Sequence, residues 1–76
     1  MNELLTLLVR GLVREPDCVR VRERGEPGRS VLELSVAAGD RGRVIGREGR
    51  TADALRTLLA ALARRQGGSC SLEIAE

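Results

Sequence analysis

Phenylalanine, tyrosine, tryptophan, histidine and lysine are all missing from this chain. Without histidine or lysine it lacks the commonest general base and a Schiff-base amine, and without tyrosine it has no phenolic proton relay. Catalysis would rest on carboxylates alone, and none of the 11 Asp and Glu residues is paired in a way that suggests acid–base work. The chain is therefore not expected to be an enzyme. Cysteine is scarce too. Cys18 and Cys70 are too few for a zinc site, and no metal or cofactor is implied. With no export signal in sight, they are expected to be small buried apolar residues rather than a disulfide. No apolar run approaches the roughly 20 residues of a membrane span. Asn2 and Glu3 stand where a signal peptide would carry positive charge. A cytoplasmic location is expected.

What remains suits one small globular unit. The 76 residues leave room for a single domain, 1–76, with 42% apolar and 32% charged residues. A chain this short buries only about 60% of its unfolded surface, so its core is thin. All 13 cations are arginine, and the net charge is only +2, a mild bias towards anionic partners. Arginine brings a planar fork that grips phosphate with two hydrogen bonds and stacks on bases.

Leu4, Leu5, Leu8 and Leu12 recur at helical spacing, widened by Val9, and predict an amphipathic helix from Asn2 to Val13. Glu15-Pro16-Asp17 marks its end. From Cys18 to Glu23, Val19 and Val21 alternate with Arg20 and Arg22 as a half-exposed strand. Arg24 to Arg29 reads as a longish hairpin loop, and Val31 to Val36 as a second strand with Leu32, Leu34 and Val36 facing inward. A short helix is expected near Asp40 to Ile45. A long one begins at Arg50, with Ala52, Leu55, Leu58, Leu59 and Leu62 on one face. Gly67-Gly68 stops it, and Cys70, Leu72 and Ile74 alternate as a last strand. The order is helix, strand, strand, short helix, long helix, strand. Its second half is a crossover between parallel strands, so a three-stranded mixed sheet with helices on one face follows, an α+β fold.

Nine glycines in 76 residues give about one Gly-x-x-Gly by chance, and Gly25/Gly28 and Gly39/Gly42 match as well. Only Gly46-Arg47-Glu48-Gly49 lies between two helical segments. There the glycines permit a sharp turn and close approach of a ligand backbone, so that a side chain at Gly49 should obstruct it. The following helix opens with unpaired amides and a partial positive charge, suited to phosphate. Arg43, Arg47 and Arg50 surround the turn, and some of Val44, Ile45, Leu32, Leu34 and Val36 would floor a groove for unstacked bases. Glu48 places a carboxylate inside the turn, where it repels phosphate unless it pairs with Arg47 or Arg50.

The run GRVIGREGRTADALRTLLAA, Gly42 to Ala61, closely resembles the KH signature. In length and element order the whole chain is similar to the small bacterial single-KH proteins of the KhpA (YlqC) type. The resemblance implies a type II KH domain with the second strand central. In such loops about four nucleotides are clamped by their backbone while bases lie in an adjoining apolar groove. Carried over by position, Gly46, Arg47, Glu48 and Gly49 are the clamp, Arg43 and Arg50 flank it, and Val44 and Ile45 belong to the groove. The lack of aromatics argues against RRM and OB-fold modules; a KH groove works with aliphatic walls. The resemblance further implies single-stranded RNA as ligand, a role as RNA chaperone or post-transcriptional regulator, a KhpB (Jag)-type KH protein as partner, and a link to cell-envelope homeostasis and cell length. The alternative is a protein-interaction subunit, a homodimer or heterodimer partner with weak or vestigial RNA contact, for which the many leucines would supply an apolar stripe.

Overall fold

A computed structural model covers residues 1–76. Helix α1 spans Asn2–Arg10, strands β1 and β2 span Arg20–Glu26 and Arg29–Ser35, and helices α2 and α3 span Arg41–Ile45 and Arg50–Arg65. Strand β3 spans Ser69–Ile74. Single 3-10 turns at Pro16–Cys18, Ala38–Asp40 and Arg47–Gly49 join them. The sheet order is β1-β2-β3, with β2 antiparallel to β1 and parallel to β3. This is the expected element order with the second strand central.

Three local expectations are corrected. Helix α1 stops at Arg10 rather than Val13, because Gly11 weakens the last turn. The Leu12 and Val13 amides both fold back onto the Val9 carbonyl. Leu5 and Val9 are therefore its buried positions, while Leu4 and Leu12 stand partly exposed. The hairpin has no long loop. Glu26 pairs with Arg29 across a two-residue turn, Pro27-Gly28, with Gly28 at φ +83°. Proline followed by a positive-φ residue is the type II arrangement, and both strands run to it. Cys18 is exposed in the Pro16–Cys18 turn and Cys70 only half-buried, so neither is a buried apolar residue. Burial still pushes the Cys70 thiol above its ordinary pKa, with Glu23 adding to the effect.

One sheet face carries the core. Leu32 and Leu34 of β2 and Leu72 of β3 meet Val19, Leu5 and Val9 of α1, Val44 of α2, and Leu55 and Leu59 of α3. On α3 the buried strip is Ala52, Leu55, Leu59 and Ala63. Leu58 turns outward and Leu62 is half-buried.

The opposite face is ionic. Glu33 and Glu73 are register partners on the parallel strands, a like-charge juxtaposition that would repel. Arg24 from β1 bridges them, with Nη2 2.8 Å from Glu73 Oε1 and Nε 3.2 Å from Glu33 Oε1. The hydrogen bond to Glu73, its charge, and the same two effects from Glu33 raise the Arg24 pKa.

Candidate functional site

Helix α2 is ended by its own backbone. The Gly46 amide still donates to the Gly42 carbonyl at 2.8 Å. Gly46 then adopts φ +78°, ψ 173°, a region essentially closed to residues with a side chain. A Cβ there would collide with Thr51 Oγ1 and lie 2.8 Å from the Thr51 amide nitrogen, inside the first turn of α3. The chain next makes one 3-10 turn, closed by the Gly49 amide donating to the Gly46 carbonyl at 3.1 Å. Glu48 is held at φ 57°, ψ 24°, the sole non-glycine residue with positive φ, and Gly49 follows at φ +77°. A Cβ on Gly49 would meet nothing within 4 Å. The two glycines therefore differ. Gly46 is required by contact and conformation, Gly49 by conformation alone, which corrects the expectation that a Gly49 side chain obstructs the turn.

The three arginines expected around the turn differ in freedom. Arg47 is exposed and has no carboxylate partner. Arg50, its side chain 78% exposed, lies 4.0 Å from Glu48, a loose pair in which the carboxylate is exposed as well. Arg43 lies 3.5 Å from Oδ1 of Asp40. Helix α3 begins at Arg50 with no side-chain cap, but an amide at its start donates to the Arg47 carbonyl, which corrects the expectation of wholly unpaired amides. The partial positive charge of the helix end remains to favour an anion.

The apolar pair divides. Ile45 is 41% exposed beside the loop, whereas Val44 is fully enclosed in the core and presents no surface. Leu32 and Leu34 are fully buried as well, and Val36, half-buried, lies just past the end of β2. Of the five side chains from which a groove floor was expected, only Ile45 is well exposed.

Sequence reasoning missed two residues near the loop. Asp40 is buried, and its oxygens accept the Arg14 and Glu15 amides. Arg56 stands seven positions after Gly49, two turns along the same face of α3. Its Nε donates to the Leu72 carbonyl at 3.4 Å, and Nη1 lies 3.6 Å from Asp53. Strand β3 is an edge strand. The Ser69 and Ala75 amides reach the neighbouring strand side, so by the alternation of a parallel ladder Leu72 points its polar groups to the open edge. The i, i+7 spacing was the signal for Arg56. Asp40 showed only as an acidic residue ahead of a short helix.

The surface depressions lie elsewhere, at the hairpin tip, beside α1 and on the ionic sheet face. No group of His, Cys, Asp or Glu is placed to hold a metal ion, and no helix is long and apolar enough to cross a membrane.

The chain is 45% identical over all 76 residues to the RNA-binding protein KhpA of Chlamydia trachomatis serovar D, covering 97% of that protein. It is 58% identical over 59 residues to the RNA-binding protein KhpA of Leifsonia xyli subsp. xyli, 78% of each chain. Against the protein of that name from Streptomyces coelicolor it is 48% identical over 65 residues, covering 86% of this chain and 82% of the relative. No solved structure matches the chain to the same standard. The family model described as KhpA/KhpB, KH domain, matches residues 2–74, and with a mixed sheet in the corresponding order the chain belongs to the KhpA/KhpB KH-domain family.

Proposed function

We propose that residues 1–76 act as one KH unit that binds single-stranded RNA without catalysing a reaction, and that the Gly46-Arg47-Glu48-Gly49 loop is the clamp. The observation that carries this reading is the turn itself. It is solvent-facing, opens a 16-residue helix that has no side-chain cap, and has one unpaired guanidinium at Arg47, between Arg43 and Arg50 in the sequence. A phosphate approaching the start of α3 meets the partial positive charge of the helix end and arginine forks together. Ile45 offers an aliphatic surface to a base beside the loop, and Val44 fastens α2 to the core from beneath. Arg56 adds a guanidinium along the same helix face. The relatives bear the name RNA-binding protein, which supports the ligand class.

By the same resemblance the chain acts in the cytoplasm as an RNA chaperone or post-transcriptional regulator, pairs with itself or a KhpB-type KH protein, and bears on envelope homeostasis and cell length. The alternative, an interaction subunit with vestigial RNA contact, draws on the exposed leucines of the α1 segment, Leu7 at 69% and Leu12 at 40%.

Replacing Arg47 and Glu48 together by aspartate tests the clamp. Both are exposed, and aspartate tolerates the left-handed backbone at position 48, so circular dichroism should be unchanged while filter binding to single-stranded RNA is lost. Contact with three or four phosphates predicts a wild-type log–log salt slope of about −2 to −3. Unchanged affinity in the double variant would show that the loop is not the clamp. No RNA titration by the wild type would favour the interaction-subunit reading.

A further inference from the structure

Asp40 is the one charged residue enclosed in the molecule, at 2% exposure. Its two oxygens each accept a backbone amide from the segment joining α1 to β1, Arg14 to Oδ1 and Glu15 to Oδ2, both at 3.0 Å. The same Oδ1 lies 3.5 Å from Nε of Arg43. A buried carboxylate is tolerated when it is hydrogen-bonded and paired, and here two amides and one guanidinium do both. It cannot shift without giving up two amide bonds, so it is a fixed anchor. Arg43 thus has an immobile partner. Arg47 has none, and the partner of Arg50, Glu48, is itself 72% exposed. The closest approach of Arg43 is through Nε, and no hydrogen bond within the protein occupies its two terminal amino groups.

We propose that Asp40 is a positioning residue for RNA binding: untouched by the RNA, it holds Arg43, three residues before Gly46, in one orientation with the outer half of its fork free for a phosphate. The proposal rests on the reading of the loop as an RNA clamp. Ordering one long side chain on binding costs roughly two- to tenfold in affinity, a cost that a preset Arg43 avoids in part. A carboxylate that merely staples the α1–β1 segment to α2 would change stability, and any effect on affinity would be independent of Arg43.

The test is a double-mutant cycle. Wild type, Asp40→Asn, Arg43→Gln and the double variant are titrated with a short single-stranded RNA of mixed sequence by fluorescence anisotropy, at several salt concentrations, with melting curves in parallel. Arg43→Gln should weaken binding and flatten the salt slope by about 0.7. Asp40→Asn should weaken binding about threefold, and the double variant should bind no worse than Arg43→Gln, a coupling within the range seen for touching residues. Effects that multiply would overturn the proposal while leaving the clamp reading intact. Wild-type protein that binds no RNA would sink both. Should Asp40→Asn fail to fold, the Arg43 Nε–H resonance of the wild type decides. It should exchange slowly and be ordered before RNA is added, then shift on titration; a mobile, rapidly exchanging signal in the free protein refutes the idea.

Discussion

Alanine at Gly46 and alanine at Gly49 should have very different consequences, although the two glycines bracket one turn. At Gly49 the new methyl group meets no atom within 4 Å, so the cost is backbone conformation alone at φ +77°. A left-handed residue with a Cβ costs about 1–2 kcal/mol, and the stiffer unfolded chain returns about 0.4–1 kcal/mol. The net loss is about 0.5–1 kcal/mol, or roughly 2–8 °C in Tm for a domain of this size. At Gly46 the conformational cost is about 1–3 kcal/mol. The methyl group must in addition displace the Thr51 backbone nitrogen, 2.8 Å away, as well as its side chain. Overpacking of that kind adds about 1–3 kcal/mol. Less the same return from the unfolded chain, the loss is about 1.5–5 kcal/mol, which at its upper end takes up much of the stability of a small domain and lowers Tm by at least about 6 °C. Thermal melts followed by far-ultraviolet circular dichroism read both variants. Removing the Thr51 hydroxyl in Thr51→Ala should rescue Gly46→Ala only in part, because the backbone contact remains. If Gly46→Ala melts no lower than Gly49→Ala, the geometry assigned to the start of α3 is wrong.

Other expectations follow from single residues. Glu48→Asn suits the left-handed backbone better and removes a carboxylate from the phosphate path. It should hold or raise Tm and tighten RNA binding roughly two- to tenfold, the size of a nearby charge effect; weaker binding would assign Glu48 a direct role. Arg24→Ala leaves Glu33 and Glu73 facing each other in register, so Tm should fall in low salt and recover partly in high salt; an unchanged melt would mean the bridge is idle. Exposed Cys18 should be alkylated faster than Cys70, whose thiol is half-buried and raised in pKa. A raised thiol pKa stabilises the fold below the unfolded-state value, and that contribution is lost as pH rises through the folded value. Cys70→Ser should therefore lessen the decline of Tm above about pH 9.

Much of the architecture is written in periodicity. The leucines of α3 and the alternations around Val19, Leu32 and Leu72 place the helices and sheet, because core-facing residues must recur at the period of their element. Boundaries were less legible where one residue overrides its neighbours. Gly11 ends α1 inside an otherwise helical pattern, and Pro27-Gly28 tightens a hairpin whose polar flanks read as loop. The glycine-flanked turn was visible because it interrupts two helical periods. Val44 was placed beside it by adjacency to Ile45, yet successive helical residues point about 100° apart, so one is buried and the other exposed. Asp40 was not legible as an anchor, since its amide partners lie 25 and 26 residues away.

The parallel pairing of β2 with β3 also governs how the molecule assembles. The hairpin joins neighbours across two residues, but Leu32 meets Leu72 only after a segment of about forty residues has been spanned. Until then Leu32 and Leu34 lack their helical cover, and one flank of the central strand has no partner. The entropy of drawing in that long segment must be met before its contacts reward it, so sheet completion should limit the folding rate. The helix–turn–helix proposed to grip RNA is thus also the tether whose compaction brings the third strand home.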